Sequence, residues 1–137
     1  MDTTRVLIVA HRTAATPALI EAVRERAARG PCSFALLVPR PYWDPDTDEA
    51  ALTLELAIPL LEEAARGHVD GLVGDHDPLV AVRDALAVEA FDEAIISTLP
   101  ARVSRWLHRD LPSRVEQLGL PVTLVTAKTA TRNLVSG

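Results

Sequence analysis

"RVLIVAHRTAATPALIEAVRERAARGPCSFALLV", residues 5 to 38, reads as strand, helix and strand in immediate succession. Residues 5 to 10 are a short β-branched and aliphatic run without polar alternation, the pattern of a strand buried on both faces. Thr16 then stands as a helix cap with Pro17 at the first helical position, Leu19, Ile20 and Val23 follow at helical spacing, and Gly30 is the terminator. "SFALLV", 33 to 38, repeats the buried-strand pattern. Two such strands joined by a helical connection of this length run parallel, with the helix crossing over one face of their sheet.

The same alternation continues to residue 127. The loop "PRPYWDPD" carries three prolines, which permit neither ladder nor helix to continue. Residues 46 to 66 place Leu52, Leu54, Leu56, Ile58, Leu60 and Leu61 among acids, a helix bent near Pro59 and closed by Gly67. "HVDGLVGD" is a weaker third strand, because its glycines leave little side chain to pack. Asp77 as cap and Pro78 in the first turn open a helix with Leu79, Val82 and Leu86 on one side. "EAIIST" is strand four, "SRWLHRDLPSRVEQLG" a broken helical stretch stopped by Gly119, and "PVTLVTA" strand five. The expected fold is α/β, a three-layer α/β/α sandwich around a mostly parallel sheet, formed by residues 1–127. The last ten residues, "KTATRNLVSG" (128–137), read as a flexible tail.

Composition narrows the function classes. The chain has 137 residues, enough for one core; 48% are hydrophobic and only 4% aromatic, so that core is aliphatic. A formal charge of −5 speaks against a general nucleic-acid binder, which needs a basic excess. Cys32 is alone, which excludes an internal disulfide and points to a reducing compartment. No run approaches the roughly 18 apolar residues of a membrane span, and no basic and then apolar leader opens the chain. A cytoplasmic protein without membrane insertion is expected.

Ligands of open parallel sheets collect beyond the carboxyl ends of the strands, where strand order reverses. The candidates there are His11, Arg12 and Thr13 after strand one, Pro39 and Arg40 after strand two, Gly74 and Asp75 after strand three, and Ser97 to Pro100 after strand four. Ser97 and Thr98 have hydroxyls to offer an anion. Arg102, Arg105 and Arg109 recur at helical spacing, with Val103, Trp106 and Leu107 on another side of the same turns. Such a face either grips an anion through guanidinium forks or is a solvated face paired with acids. Trp106 suits core or dimer packing. His68, His76 and His108 lack ligand spacing, and in "GDHDP" Asp77 is already needed as a cap, so neither metal nor cofactor is expected. Walker, nucleophile-elbow and dinucleotide motifs are missing, and an enzyme is not expected.

"RVLIVAHRTA", "GDHDPLVAV" and "AIISTLPARVSRWLHRDLPSRVEQLGLPVTLV" resemble the universal stress protein superfamily over residues 4 to 127. More closely, "GDHDPL", "DAL", "FDEAIIST" and "SRWL" are similar to an uncharacterised branch of it that includes soluble domains appended to some amino-acid permeases. The resemblance implies an adenine nucleotide alpha hydrolase-like fold with a five-stranded parallel sheet in the order 3-2-1-4-5. It also implies homodimers pairing through the last strand, here Pro121, Val122 and Leu124, and in one subclass bound ATP. That subclass carries Gly-x2-Gly-x9-Gly-Ser/Thr after strand four; Ser97, Pro100, Asp110 and Leu111 occupy those positions here. His11 stands where an acidic residue usually follows strand one. ATP held in the superfamily's usual way is therefore not expected. The leading expectation is a non-enzymatic regulatory or signalling homodimer. The alternative is a sensor of a nucleotide or other phosphorylated anion, bound through His11, Thr13, Ser97, Thr98, Arg102 and Arg105; an enzyme acting on nucleotides is a third reading.

Overall fold

A computed structural model describes residues 3–41 and 48–127 of the chain. The tail at 128–137 and most of the proline-rich loop lie outside the described residues. Five strands, β1 (Thr4–Val9), β2 (Cys32–Pro39), β3 (Val69–Gly74), β4 (Glu93–Thr98) and β5 (Val122–Thr126), form one sheet. All its pairings are parallel and its order is β3-β2-β1-β4-β5. The helices are α1 (Pro17–Ala28), α2 (Asp48–Ala65), α3 (Pro78–Val88), α4 (Arg105–His108) and α5 (Leu111–Glu116).

The aliphatic runs do what their pattern requires. Along β1, Val6, Ile8 and Ala10 pack into one cluster with Leu19 and Val23 of α1 and Ala57 and Leu61 of α2. Leu7 and Val9 point the other way, into a second cluster with Ala81, Val82 and Ala85 of α3 and Leu111 and Val115 of α5. Side chains of successive residues thus bury on opposite faces, which is why β1 and β4 carry no polar alternation. Each such Val, Leu or Ile contributes about 1.5–3 kcal/mol on leaving water. The three-layer sandwich follows.

Local details differ from the sequence reading in three places. The ladder of β2 includes Pro39, opposite Gly74, and ends only at Arg40, whose N–H donates to the Gly74 carbonyl at 3.0 Å. Being last in its strand, a proline there loses little. In α3, by contrast, Leu79, Val82 and Leu86 do pack on one cluster, and Pro78, Ala81 and Ala85 complete the buried face. Thr16 is the N-cap residue of α1, but its hydroxyl donates to the Thr13 carbonyl at 2.9 Å instead of accepting from the helix. The glycines of β3 are not a packing deficit. A Cβ at Gly74 would stand 2.6 Å from Ala81 Cβ and 2.9 Å from Leu37 Cδ1, and one at Gly71 2.8 Å from Ile58 Cδ1. Glycine lets the two helical layers close directly onto the edge strand.

Charges separate along the strands. At the amino ends, Arg5 Nη2 meets Asp70 Oδ2 at 2.6 Å and Arg5 Nε meets Glu89, while Arg26 pairs with Glu93 at 2.7 Å. His68 bridges Asp70 and Glu62 in the same region. Acids and bases pair with one another there. The carboxyl ends are different.

Candidate functional site

A cleft of about 630 Å³ opens at the carboxyl ends of β1, β2 and β4, where the strand order reverses between β1 and its two neighbours. That volume is in the range of small-molecule sites. The loop after β1 supplies His11, Arg12 and Thr13; β2 supplies Pro39 and continues to Arg40 and Pro41. The start of α3 adds His76, Asp77 and Pro78, β4 adds Ser97, Thr98 and Leu99, and the α4 region adds Val103 to Trp106 and Arg109.

The floor carries hydroxyls. Thr13 Oγ1 and Ser97 Oγ lie 2.6 Å apart, with Thr13 2% and Ser97 1% exposed. One hydroxyl donates to the other, which leaves one O–H donor of the pair unspent. Beside them Thr98 is 3% exposed, and among the described residues its Oγ1 has no hydrogen-bond partner. Buried hydroxyls are ordinarily paired, because an unpaired one forfeits its hydration without return. Among the described residues Thr98 is the exception, and it lines the cleft.

The walls carry guanidinium groups. Arg12, Arg40, Arg105 and Arg109 line the cleft, against Asp77 as the one carboxylate among its described lining residues. Asp77 is engaged as the cap of α3, accepting from the Leu79 N–H at 2.9 Å and the Val80 N–H at 3.5 Å. Arg40 faces Asp75 at 4.0 Å, whereas among the described residues Arg12, Arg105 and Arg109 have no ion pair. Asp75 is occupied otherwise: it accepts from the Asp77 N–H at 2.9 Å and lies 3.3 Å from His76 Nδ1. Burial pushes the His11 imidazole below its ordinary value, with Arg12 acting in the same direction and Glu49 against it. A neutral imidazole therefore faces the cleft near neutral pH.

Five of the six residues singled out from sequence, His11, Thr13, Ser97, Thr98 and Arg105, come together here; Arg102 does not line the cleft. The cause is local. The Ser104 hydroxyl accepts from the Leu107 N–H at 3.2 Å and starts α4 at Arg105, so Arg102 precedes the helix that carries Arg105. Arg12, Arg40 and Arg109 replace it as cleft cations. Each stood at a strand end or in the arginine series, but only the fold shows which of them share one cavity. Among the described residues no three His, Cys, Asp or Glu side chains form a metal-binding group.

No protein-family model and no curated protein matches this sequence. Solved structures do. A universal stress protein in complex with cAMP aligns with 93% of this chain and 100% of its own, with a TM-score of 0.63 at 15% identity. The fold is that of the universal stress proteins. Protein Rv1636 from Mycobacterium tuberculosis H37Rv aligns over 94% of this chain and 99% of its own at a TM-score of 0.52 and 15% identity. A lipopolysaccharide core biosynthesis protein from Thermoplasma volcanium GSS1 aligns over 93% and 98% at 0.50 and 16%. On the universal stress protein fold, the positions of the glycine motif have their own structure in this chain. Asp110 is left-handed, with φ 57 and ψ 43, a conformation glycine adopts freely. Leu111 is buried in the cluster with Val115 and Leu120, so its side chain belongs to the core.

Proposed function

We propose that this chain is a non-enzymatic regulatory domain of universal stress protein fold that senses a phosphorylated anion, held in the cleft at the ends of β1, β2 and β4. The observation that carries the reading is the gathering of Arg12, Arg40, Arg105 and Arg109 around one cavity in a protein of net charge −5. Guanidinium forks match phosphate oxygens in geometry and charge. His11, Thr13, Ser97 and Thr98 add polar contacts on the floor, and the unpartnered Thr98 hydroxyl gains in a bound anion the partner it lacks. The similar universal stress protein bound to cAMP gives the reading a precedent in the same fold.

The manner of binding differs from an amide-lined phosphate loop. Pro100 has no N–H to offer, Asp110 stands in a glycine position without lining the cleft, and the Leu111 side chain, which has no hydroxyl, is buried in the core. Side-chain cations take over the part that glycine amides play in the ATP-binding subclass, and a metal-chelated triphosphate is disfavoured. A thermal-shift series with inorganic phosphate, AMP, cAMP, ATP with magnesium, sulfate and acidic amino acids tests this. Phosphate monoesters and diesters should raise the unfolding temperature, since a ligand that binds only the folded state stabilises it. Thr98→Val, which keeps the shape and removes the hydroxyl, should reduce the shift. Absence of stabilisation by any phosphorylated compound overturns the proposal.

A second reading concerns assembly. Among the described residues β5 pairs only with β4, and Leu124 on this edge is 44% exposed. Self-pairing through Pro121, Val122 and Leu124 would cover the open edge, and the domain would act as a homodimer. Sedimentation should give a dimer at micromolar concentration; a monomer contradicts it.

A further inference from the structure

Helix α2 is apolar on two sides. Ala50, Ala57, Leu61 and Ala64 are buried, and Leu54 and Ile58 pack beside them on the core and over Gly71 of the edge strand. On the outer side Leu52, Leu56 and Leu60 recur every fourth residue and are 54%, 64% and 44% exposed. Leucines at that interval form one ridge, here about 12 Å long. A helix apolar on both sides is ordinarily covered on both, and a ridge of this spacing is what a second helix packs against. The polar groups of the same face are acceptors. Asp48–Ala65 holds five acids and no Lys or Arg, and the next cation in sequence, Arg66, stands past the helix end. Glu55 and Glu63 are exposed beside the ridge, and among the described residues neither has an ion pair. Glu62, by contrast, is spent on the Val69 N–H at 3.0 Å and on His68. Pro59, exposed between Leu56 and Leu60, has no N–H, so the Glu55 carbonyl lacks its helical donor. On α1, which packs beside α2, Arg24 is already paired with Glu21.

We propose that the outer face of α2 docks a cationic amphipathic helix of a partner protein. The partner lays an apolar row against Leu52, Leu56 and Leu60 and sets Lys or Arg side chains against the Glu55 and Glu63 carboxylates and the Glu55 carbonyl. Charge selects this occupant. A second copy of the chain would bring the acids of one α2 against those of the other, and like charges in contact oppose association. The ridge lies apart from the cleft, none of whose lining residues belongs to α2, so the proposal does not depend on the anion reading. It gives a regulatory domain a surface through which to act on another protein.

Fluorescence anisotropy with three labelled peptides tests it. The first is a Lys/Leu peptide of about 18 residues with every leucine on one helical face. The second has the same residues scrambled so that no such face forms, and the third keeps the first pattern with Glu in place of Lys. The ordered Lys/Leu peptide should bind about tenfold tighter or more than either of the others. Leu56→Gln, at an exposed position on which the core does not rest, should weaken that binding by about tenfold or more. Glu55→Lys combined with Glu63→Lys should turn the preference toward the Glu/Leu peptide. Equal binding of the ordered and scrambled peptides, undiminished binding by Leu56→Gln, or an unchanged preference in the charge-reversed protein overturns the proposal. Binding of none of the peptides does so too, and is the result expected if the chain's own tail covers the ridge. A lower sedimentation mass for Leu56→Gln alone would make the ridge a contact between two copies, and would equally overturn it.

Discussion

The hydroxyls of Thr13 and Ser97 meet at 2.6 Å and tie the loop after β1 to the neighbouring strand β4. Both side chains are buried, so truncating one strands the other. Ser97→Ala is expected to lower the unfolding free energy by about 1–3 kcal/mol. The double variant Thr13→Val, Ser97→Ala should lose less than the sum of the singles, which denaturant titration of the four proteins would measure. Additive losses would show that the contact contributes nothing.

Gly74 and Gly71 differ in what surrounds them. At Gly74 an added methyl meets the Ala81 Cβ, held by the α3 backbone, whereas at Gly71 it meets the far end of Ile58. Gly74→Ala should cost about 1–3 kcal/mol by overpacking, and Gly71→Ala distinctly less. Thermal unfolding of both variants gives the order; equal losses would refute the account of the β3 edge.

Asp110 holds a left-handed backbone that disfavours any side chain. Asp110→Gly relieves this and should raise stability by about 1 kcal/mol, whereas Asp110→Val should lower it by more. The urea midpoint is the readout.

His11 links the cleft to pH. Its imidazole lies below the ordinary value of 6.5 because it is buried. On acidification the unfolded chain takes up this proton first, so the stability tied to His11 is intact above 6.5 and is lost as pH falls through the lowered folded value. A bound anion favours the charged imidazolium and reverses the trend. Affinity for cAMP, whose phosphodiester keeps its charge throughout, should therefore rise as pH is lowered from about 7.5 to about 5.5, and His11→Asn should flatten the profile. Affinity that falls on acidification would contradict the placement of the anion beside His11.

The architecture was legible because strong local signals agreed. Asp77 followed by Pro78 announces α3, and its carboxylate does cap that helix; the aliphatic runs of β1, β2 and β4 need two covered faces. Packing against a neighbour was less legible. The spacing of "HVDGLVGD" shows two missing side chains but cannot show that Ala81 and Ile58 occupy their space. The cleft was legible as a place and only partly as a residue set. Arg102 shares the spacing of Arg105 and Arg109, yet the Ser104 cap sets it outside their helix. Arg12 and Arg40 lie far apart in sequence and become neighbours of one cavity only because β1 and β2 run parallel and side by side.

Titration of AMP in metal-free buffer into the unmodified protein and into the Arg105→Ala, Arg109→Ala double variant tests the account most directly. Both arginines are exposed, so the fold should survive. The account predicts binding without magnesium and a loss of about tenfold or more in the variant. Undiminished affinity in the variant, or binding that requires magnesium, would contradict it.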